Sequence, residues 1–262
     1  MIFDSHVHSA ASPDSTMAPE EAIATLNKMG LGCTFTDHIE YNTKLEPFFS
    51  VDFKKYPSEY IKYKSDTVMV GVELSFLPEA TELNRQHASN PDYDFVIGSI
   101  HWIDKFDIGA NADNTKEWFA KLGEEAYLRF FTDATEAVKT NDFFDSFGHI
   151  DYVSRYSTLP EVNVLYDKYA NEYDKLLLTL IQSDKVLEFC TKRIADESAK
   201  QNLFKIYKRY WELGGRHVTM GSDAHNPQQL GYKFDLAMEM LNEIGLIPVY
   251  FKERKMMTGA VL

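Results

Sequence analysis

Residues 1–8 read MIFDSHVH, a short apolar run that ends on Asp4, His6 and His8. Side chains of a β-strand alternate between its two faces, so His6 and His8 project the same way, with Asp4 behind them. Two neutral imidazoles on one face form a ligand pair for a zinc-like ion. Any strand reaches this spacing easily, so the weight of the pair depends on how often later stretches repeat the design.

They repeat it down the whole chain. After a Ser-, Ala- and Pro-rich loop, Thr16 or the Met17-Ala18-Pro19 turn starts a helix that runs to Met29, with Glu20 and Glu21 at its positive end and Gly30 as its stop. Residues 32–36 read as a strand that delivers Asp37 and His38. Residues 39–66 are a polar, aromatic excursion with a short helix, and the branched run 68–72 is a buried strand ending on Glu73. A helix over 79–87 precedes a strand over 94–100, which ends on His101 and Trp102, and a Gly- and Asn-rich loop covers 107–114. One long helix over 116–140 carries a core stripe through Phe119, Leu122, Tyr127, Phe130 and Phe131. Strand 143–147 leads to His149 and Asp151, helix 165–183 follows, and strand 186–190 leads to Thr191 and Arg193. Helix 197–213 stops at Gly214-Gly215, strand 217–221 leads to Asp223 and His225, a helix runs from Asn226-Pro227 to Ile244, and a short strand covers 247–251.

Strand and helix alternate seven times, which predicts a parallel α/β arrangement over a single domain spanning residues 1–262. A barrel and an open doubly wound sheet both fit that alternation, but no glycine-rich dinucleotide fingerprint follows the first strand. The polar residues favour the barrel. His6, His8, His38, Glu73, His101, His149, Arg193, Asp223 and His225 all fall at carboxyl ends of strands, and a closed ring brings those ends to one mouth.

Bulk properties narrow the chemistry. Net charge is −13, which argues against non-specific binding to nucleic acid or to an anionic membrane. Cys33 and Cys190 are too few and too far apart for a disulfide framework, and read as buried free thiols. No apolar run approaches the ~20 residues of a membrane span. The expectation is a soluble cytoplasmic protein.

Six of the eight histidines lie at strand ends, and buried imidazoles clustered without a metal would be costly. With Glu73 and Asp223 they exceed the three or four protein ligands of one catalytic ion, so two or three ions are expected, with Glu73 able to bridge two of them. Mixed imidazole and carboxylate ligands suit zinc, iron or manganese better than magnesium. Adjacent ions of this kind are the usual device for hydrolysing phosphate esters. Asp37 reads as a residue orienting His38. His87 and His217 read as ordinary, and Ser5 and Thr36 as strand fillers.

The stretches DSHVH, TDH, GVE, GSIHW, GHID and SDAH, in this order over residues 4–225, resemble the motif series of the polymerase-and-histidinol-phosphatase (PHP) family of metallohydrolases. GSIHW and an arginine downstream of GHIDY resemble its histidinol-phosphate phosphatase branch. The resemblance implies a distorted TIM-like (β/α)7 barrel with a trinuclear site at its carboxyl mouth. His6, His8, Glu73 and Asp223 would hold the first ion, His38 and His225 the second, and Glu73, His101 and His149 the third. Many family members place a further histidine after the first motif. Here the stretch is Ser12-Pro13-Asp14, and Asp14 would ligate directly or through water. The implied reaction is hydrolysis of L-histidinol phosphate, a step of histidine biosynthesis, by attack of a hydroxide bridging the ions. Arg155 and Arg193 would grip the phosphate as planar forks, Trp102 and acidic residues near the mouth would hold the imidazole and amine, and Asp223 would protonate the leaving oxygen. Two alternatives remain: a PHP phosphoesterase acting on another monoester or a nucleotide diester, and a non-catalytic metal-binding module.

Overall fold

The computed structural model describes residues 1–53, 55–109 and 111–259. In chain order its first half comprises β1 (Phe3–Val7), α1 (Pro19–Lys28), β2 (Gly32–Phe35), β3 (His38–Ile39), β4 (Val68–Ser75), α2 (Thr81–Ala88), β5 (Phe95–Ser99) and the hairpin β6 (Trp102–Ile103) and β7 (Phe106–Asp107). Then follow α3 (Ala112–Leu122), α4 (Glu125–Thr140), β8 (Ser146–Phe147), α5 (Tyr152–Tyr156), α6 (Ala170–Gln182) and β9 (Val186–Cys190). The last elements are α7 (Glu197–Glu212), β10 (His217–Gly221), α8 (Phe234–Ile244), β11 (Ile247–Lys252) and β12 (Lys255–Thr258).

Seven strands, β1, β2, β4, β5, β8, β9 and β10, pair in that order and all in parallel. The ring returns on itself where Val7 bridges to Ala224 and the His8 N–H donates to the Ala224 carbonyl at 2.9 Å. This is a distorted (β/α)7 barrel, joined between β1 and β10 at its carboxyl end by one bridge. At the other end β11 lies beside β10 and carries the antiparallel β12, and Phe3 of β1 stacks on Tyr250 with ring centroids 4.0 Å apart. The strands read as near-continuous apolar runs because helices cover the sheet: every residue of β4 is buried.

Local features aim the polar residues. β2 pairs with the first half of β4 and β3 with its second half, and the step at Thr36-Asp37 sets His38 opposite Glu73. Asp37 does not orient the His38 ring by a hydrogen bond. Its carboxylate accepts from the Ser9 N–H (2.7 Å), the Ser9 hydroxyl (2.8 Å) and the Ser12 hydroxyl (2.8 Å), pinning the loop after β1. Gly221 is required where β10 meets β1, since a Cβ there would lie 2.6 Å from His6 Cβ and 2.2 Å from a Glu188 oxygen.

Several boundaries differ from the sequence reading. The helix expected over 116–140 is broken at Gly123, whose φ of 57° is left-handed, and its first part starts earlier, capped by the Asn111 side chain. The strand expected over 143–147 keeps two residues, because Asp145 turns to take the Val96 N–H and Arg254. The helices expected from 165 and 226 begin at Ala170 and Phe234. Residues 227–229 form a 3-10 turn instead, and Gly231 N–H is tied to Asp4 at 2.9 Å. The β6–β7 hairpin, α5 and β12 had no periodic signal. Among the described residues no helix is long and apolar enough to cross a membrane.

Candidate active site

The carboxyl ends of the strands converge on Glu73. Its Oε2 lies 3.3 Å from His6 Nε2, 3.5 Å from His8 Nε2 and 3.0 Å from His38 Nδ1. Its Oε1 lies 2.9 Å from His149 Nε2 and 3.4 Å from His101 Nε2, and accepts from the Ser99 hydroxyl at 2.6 Å. One carboxylate therefore faces two different sets of imidazoles, one with each oxygen. His8 Nε2 also lies 3.4 Å from Asp223 Oδ1. At the outer edge Asp14 Oδ2 stands 2.6 Å from His225 Nε2 and 3.6 Å from His38 Nε2.

These groups fit metal ions better than they fit one another. His6 Nε2, His8 Nε2, His38 Nδ1 and Glu73 Oε2 are buried without a hydrogen-bond partner, which is expensive for polar atoms. Ligands held about 2.0–2.1 Å from a tetrahedral ion stand about 3.3–3.4 Å apart, longer than most hydrogen bonds. The Glu73–His6, Glu73–His101, Asp223–His8 and His101–His149 pairs stand at 3.3, 3.4, 3.4 and 3.4 Å. Three sets share donors within 4.8 Å: His6, His8 and Glu73; His8, His38 and His225; Glu73, His101 and His149. A fourth set, His38, Glu40 and His101, includes a carboxylate absent from the sequence reading.

Buried carboxylates hold the imidazoles from behind. Glu188, fully buried on β9, takes His6 Nδ1 at 2.6 Å with one oxygen and the His149 N–H at 2.6 Å with the other. Glu40 meets His101 Nδ1. Such partners fix the tautomer and leave Nε2 for the metal. Neither was found from the sequence, although Glu188 is conspicuous as a charge inside the apolar strand VLEFC and Glu40 follows His38 at the strand period of two.

The electrostatics follow from this crowding. Burial opposes charge on His6, yet the Glu188 and Glu73 carboxylates hold its pKa well above the ordinary imidazole value. Burial, followed by neighbouring His38 and His225, pushes His8 well below it. Burial works against ionisation of Asp223, but Arg155 and then Lys192 pull its pKa well below the usual carboxylate range. Arg155 donates through Nη1 to Asp223 Oδ2 and through Nη2 to the Cys190 sulfur at 3.1 Å.

A cavity of about 490 Å³ opens over the cluster. Asp14, His38, Glu73, His101, His149, Arg155, Asp223 and His225 all line it, while His6 and His8 lie beneath, fully buried. Phe48 and Phe49 wall one side, and Tyr152, Tyr156 and Asp107 also line it. Arg193 and Trp102, expected to contact the substrate, are not among the residues that line this cavity. Arg193 turns to Asn163 Oδ1 (2.7 Å) and Asp151 Oδ2 (3.4 Å). Trp102 lines a different cavity, with Phe76, Pro78 and Asn141, and meets the wall of this one through Phe48, edge-on with ring centroids 6.0 Å apart. Cys33 and Cys190 are both buried free thiols. His217 starts β10 as expected, whereas His87 is half-buried, with Nε2 2.6 Å from the Tyr41 hydroxyl.

Fold and site together define a class: a seven-stranded parallel barrel whose carboxyl mouth is equipped with histidines and carboxylates for several metal ions. The PHP domain model matches residues 4–192. The chain is 35% identical to a probable histidinol-phosphatase of Clostridium acetobutylicum, covering 98% of this chain and 99% of that protein. It is 28% identical to a histidinol-phosphatase of Lactococcus lactis over 85% of this chain and 83% of that one. The crystal structure of a histidinol phosphate phosphatase from Lactococcus lactis, complexed with zinc, L-histidinol and phosphate, superposes with a TM-score of 0.84 at 24% identity, over 98% of this chain and 99% of that chain. The chain belongs to the PHP domain family.

Proposed function

We propose that this chain is a metal-dependent histidinol-phosphatase that hydrolyses L-histidinol phosphate to L-histidinol and phosphate. The observation that carries the reading is Glu73, whose two oxygens face five imidazoles, several with orphaned ring nitrogens, at the floor of an open cavity. Similarity to histidinol-phosphatases over nearly the full length supports the substrate.

His6, His8, Glu73 and Asp223 would hold one zinc, iron or manganese ion, His38, His225 and Asp14 a second, and Glu73, His101 and His149 a third. Bound there, the ions would lower the pKa of a water and neutralise phosphoryl oxygens. The chain supplies the rest. Arg155, held at the mouth by Asp223 and Cys190, would turn its remaining N–H donors to the phosphate. Asp223 would take the proton of the attacking water and return it to the alkoxide as the phosphorus–oxygen ester bond breaks. Glu188 and Glu40 keep the imidazoles aimed. We read residues 1–262 as one unit, since β1 and β10 both supply the cluster. We place the protein in the cytoplasm, where its two free thiols would stay reduced.

The test is phosphate release by the metal-loaded protein from L-histidinol phosphate against other monoesters and a diester. A clear preference for histidinol phosphate is expected. Faster turnover of the diester, or equal rates on all monoesters, would remove the substrate assignment.

A further inference from the structure

Among the described residues lining the cavity, Arg155 and Lys192 are the lysine and arginine side chains present. Both converge on one oxygen of Asp223. Arg155 Nη1 donates to Oδ2, and Lys192 Nζ stands 3.8 Å from the same atom. The other oxygen, Oδ1, faces His8 Nε2 at 3.4 Å and His225 Nδ1 at 3.6 Å. Asp223 therefore divides the mouth into an imidazole side and a cationic side. Its own backbone is left-handed, with φ of 54°, an uncommon conformation for a residue with a Cβ. Lys192 donates to its carbonyl at 2.6 Å.

An ammonium has three N–H donors. Lys192 uses one on the Asp223 carbonyl, and its side chain is 30% exposed at the cavity wall, which leaves donors for a ligand. Arg193, one residue on, is not among the residues lining the cavity and donates to Asn163 and Asp151. A phosphate dianion placed over the cluster would thus meet imidazole-held ions on one side and Arg155 with Lys192 on the other.

We propose that Lys192 is the second cation of the phosphate pocket, taking a non-bridging phosphoryl oxygen beside Arg155 in the role the sequence suggested for Arg193. This rests on the phosphatase reading above. Arg155 contributes a planar fork and Lys192 a compact charge on a flexible stem, so the lysine can follow an oxygen that moves as the ester bond breaks.

The experiment is calorimetric binding of inorganic phosphate to the metal-loaded protein, with kcat and KM for L-histidinol phosphate and p-nitrophenyl phosphate. The variants are Lys192→Met, Lys192→Gln, Lys192→Arg and Arg193→Gln. Loss of the lysine charge is expected to raise the phosphate Kd and both KM values about tenfold to a hundredfold, the range for a hydrogen bond to a charged group, and Lys192→Arg should restore most of it. If Lys192 only pins the Asp223 carbonyl, kcat falls while phosphate Kd stays put, and the proposal is overturned. It is equally overturned if Arg193→Gln weakens phosphate and the Lys192 variants do not. Phosphate and p-nitrophenyl phosphate lack the histidinol group. A protein that ignores histidinol phosphate yet shows the shift in phosphate Kd would therefore lose its substrate assignment and keep Lys192.

Discussion

Both ends of the barrel bury charge, and they treat it in opposite ways. At the amino end the turn between β11 and β12 lays the half-buried Arg254 against Asp145. Its guanidinium donates to Asp145 at 2.7 and 3.0 Å, to the Ala88 carbonyl at 2.9 Å and to the Phe143 carbonyl at 2.6 Å. Asp94 beside it accepts from the Val70 and Glu253 N–H groups, each at 3.0 Å, and pairs with Lys64 at 2.9 Å. At the carboxyl end His6, His8, His38 and Glu73 keep orphaned atoms facing a shared space. A buried charge whose hydrogen bonds are saturated braces a fold. One whose partners are missing is waiting for a ligand, because its desolvation is otherwise uncompensated.

The sharpest way to break this contrast is Glu73→Gln. Removing the shared charge of the hub should cost at least about a thousandfold in kcat/KM, where each 1.36 kcal/mol of barrier is a factor of ten. Elemental analysis should show fewer ions per chain, and full activity with full metal content would end the hub assignment. At the other pole, Arg254→Met should destabilise the metal-loaded protein by about 2 kcal/mol in urea unfolding, since it takes charged hydrogen bonds from Asp145. Its kcat/KM should stay near wild type, because Arg254 touches nothing at the mouth; a matching loss of turnover would erase the distinction between the two ends.

Glu188→Gln tests the layer between them. It breaks the charged contacts to His6 Nδ1 and the His149 N–H, so zinc affinity by chelator competition should weaken about tenfold to a hundredfold. An unchanged affinity would make Glu188 a brace like Asp145. The smallest effect concerns His87. Burial lowers its pKa from 6.5, and its Nε2 contact with the Tyr41 hydroxyl suits a neutral ring. The unfolded chain takes up this proton first as pH falls. Stability from His87 is therefore complete above about 6.5 and is lost below it, toward the folded value. Melting temperature followed against pH should show a shallower acid-side decline in His87→Gln than in wild type.

Much of the site was readable because strand ends announce themselves. A residue placed after a buried apolar run has one place to go, the barrel mouth, and His38, His101, His149 and Asp223 all went there. Direction after the strand was less readable. Arg193 and Trp102 follow strands just as closely, yet Asn163 and Asp151 capture one and the other lines a different cavity. Lys192 gave no motif signal, and Glu40 and Glu188 gave only a charge in an unusual place. The break at Gly123 was hidden because the apolar stripe continues across it, with Phe119 and Tyr127 both buried on either side.

The amino-acid order alone determined the alternation of strands and helices and the roster of imidazoles at the strand ends. Both follow from backbone periods of two and 3.6 residues, which are local. Tertiary structure alone decided which oxygen of Glu73 meets which ring, which cation reaches Asp223, and which buried charges are saturated. Contacts of this kind join residues as distant as Asp4 and Gly231, 227 positions apart, and no local period carries that information.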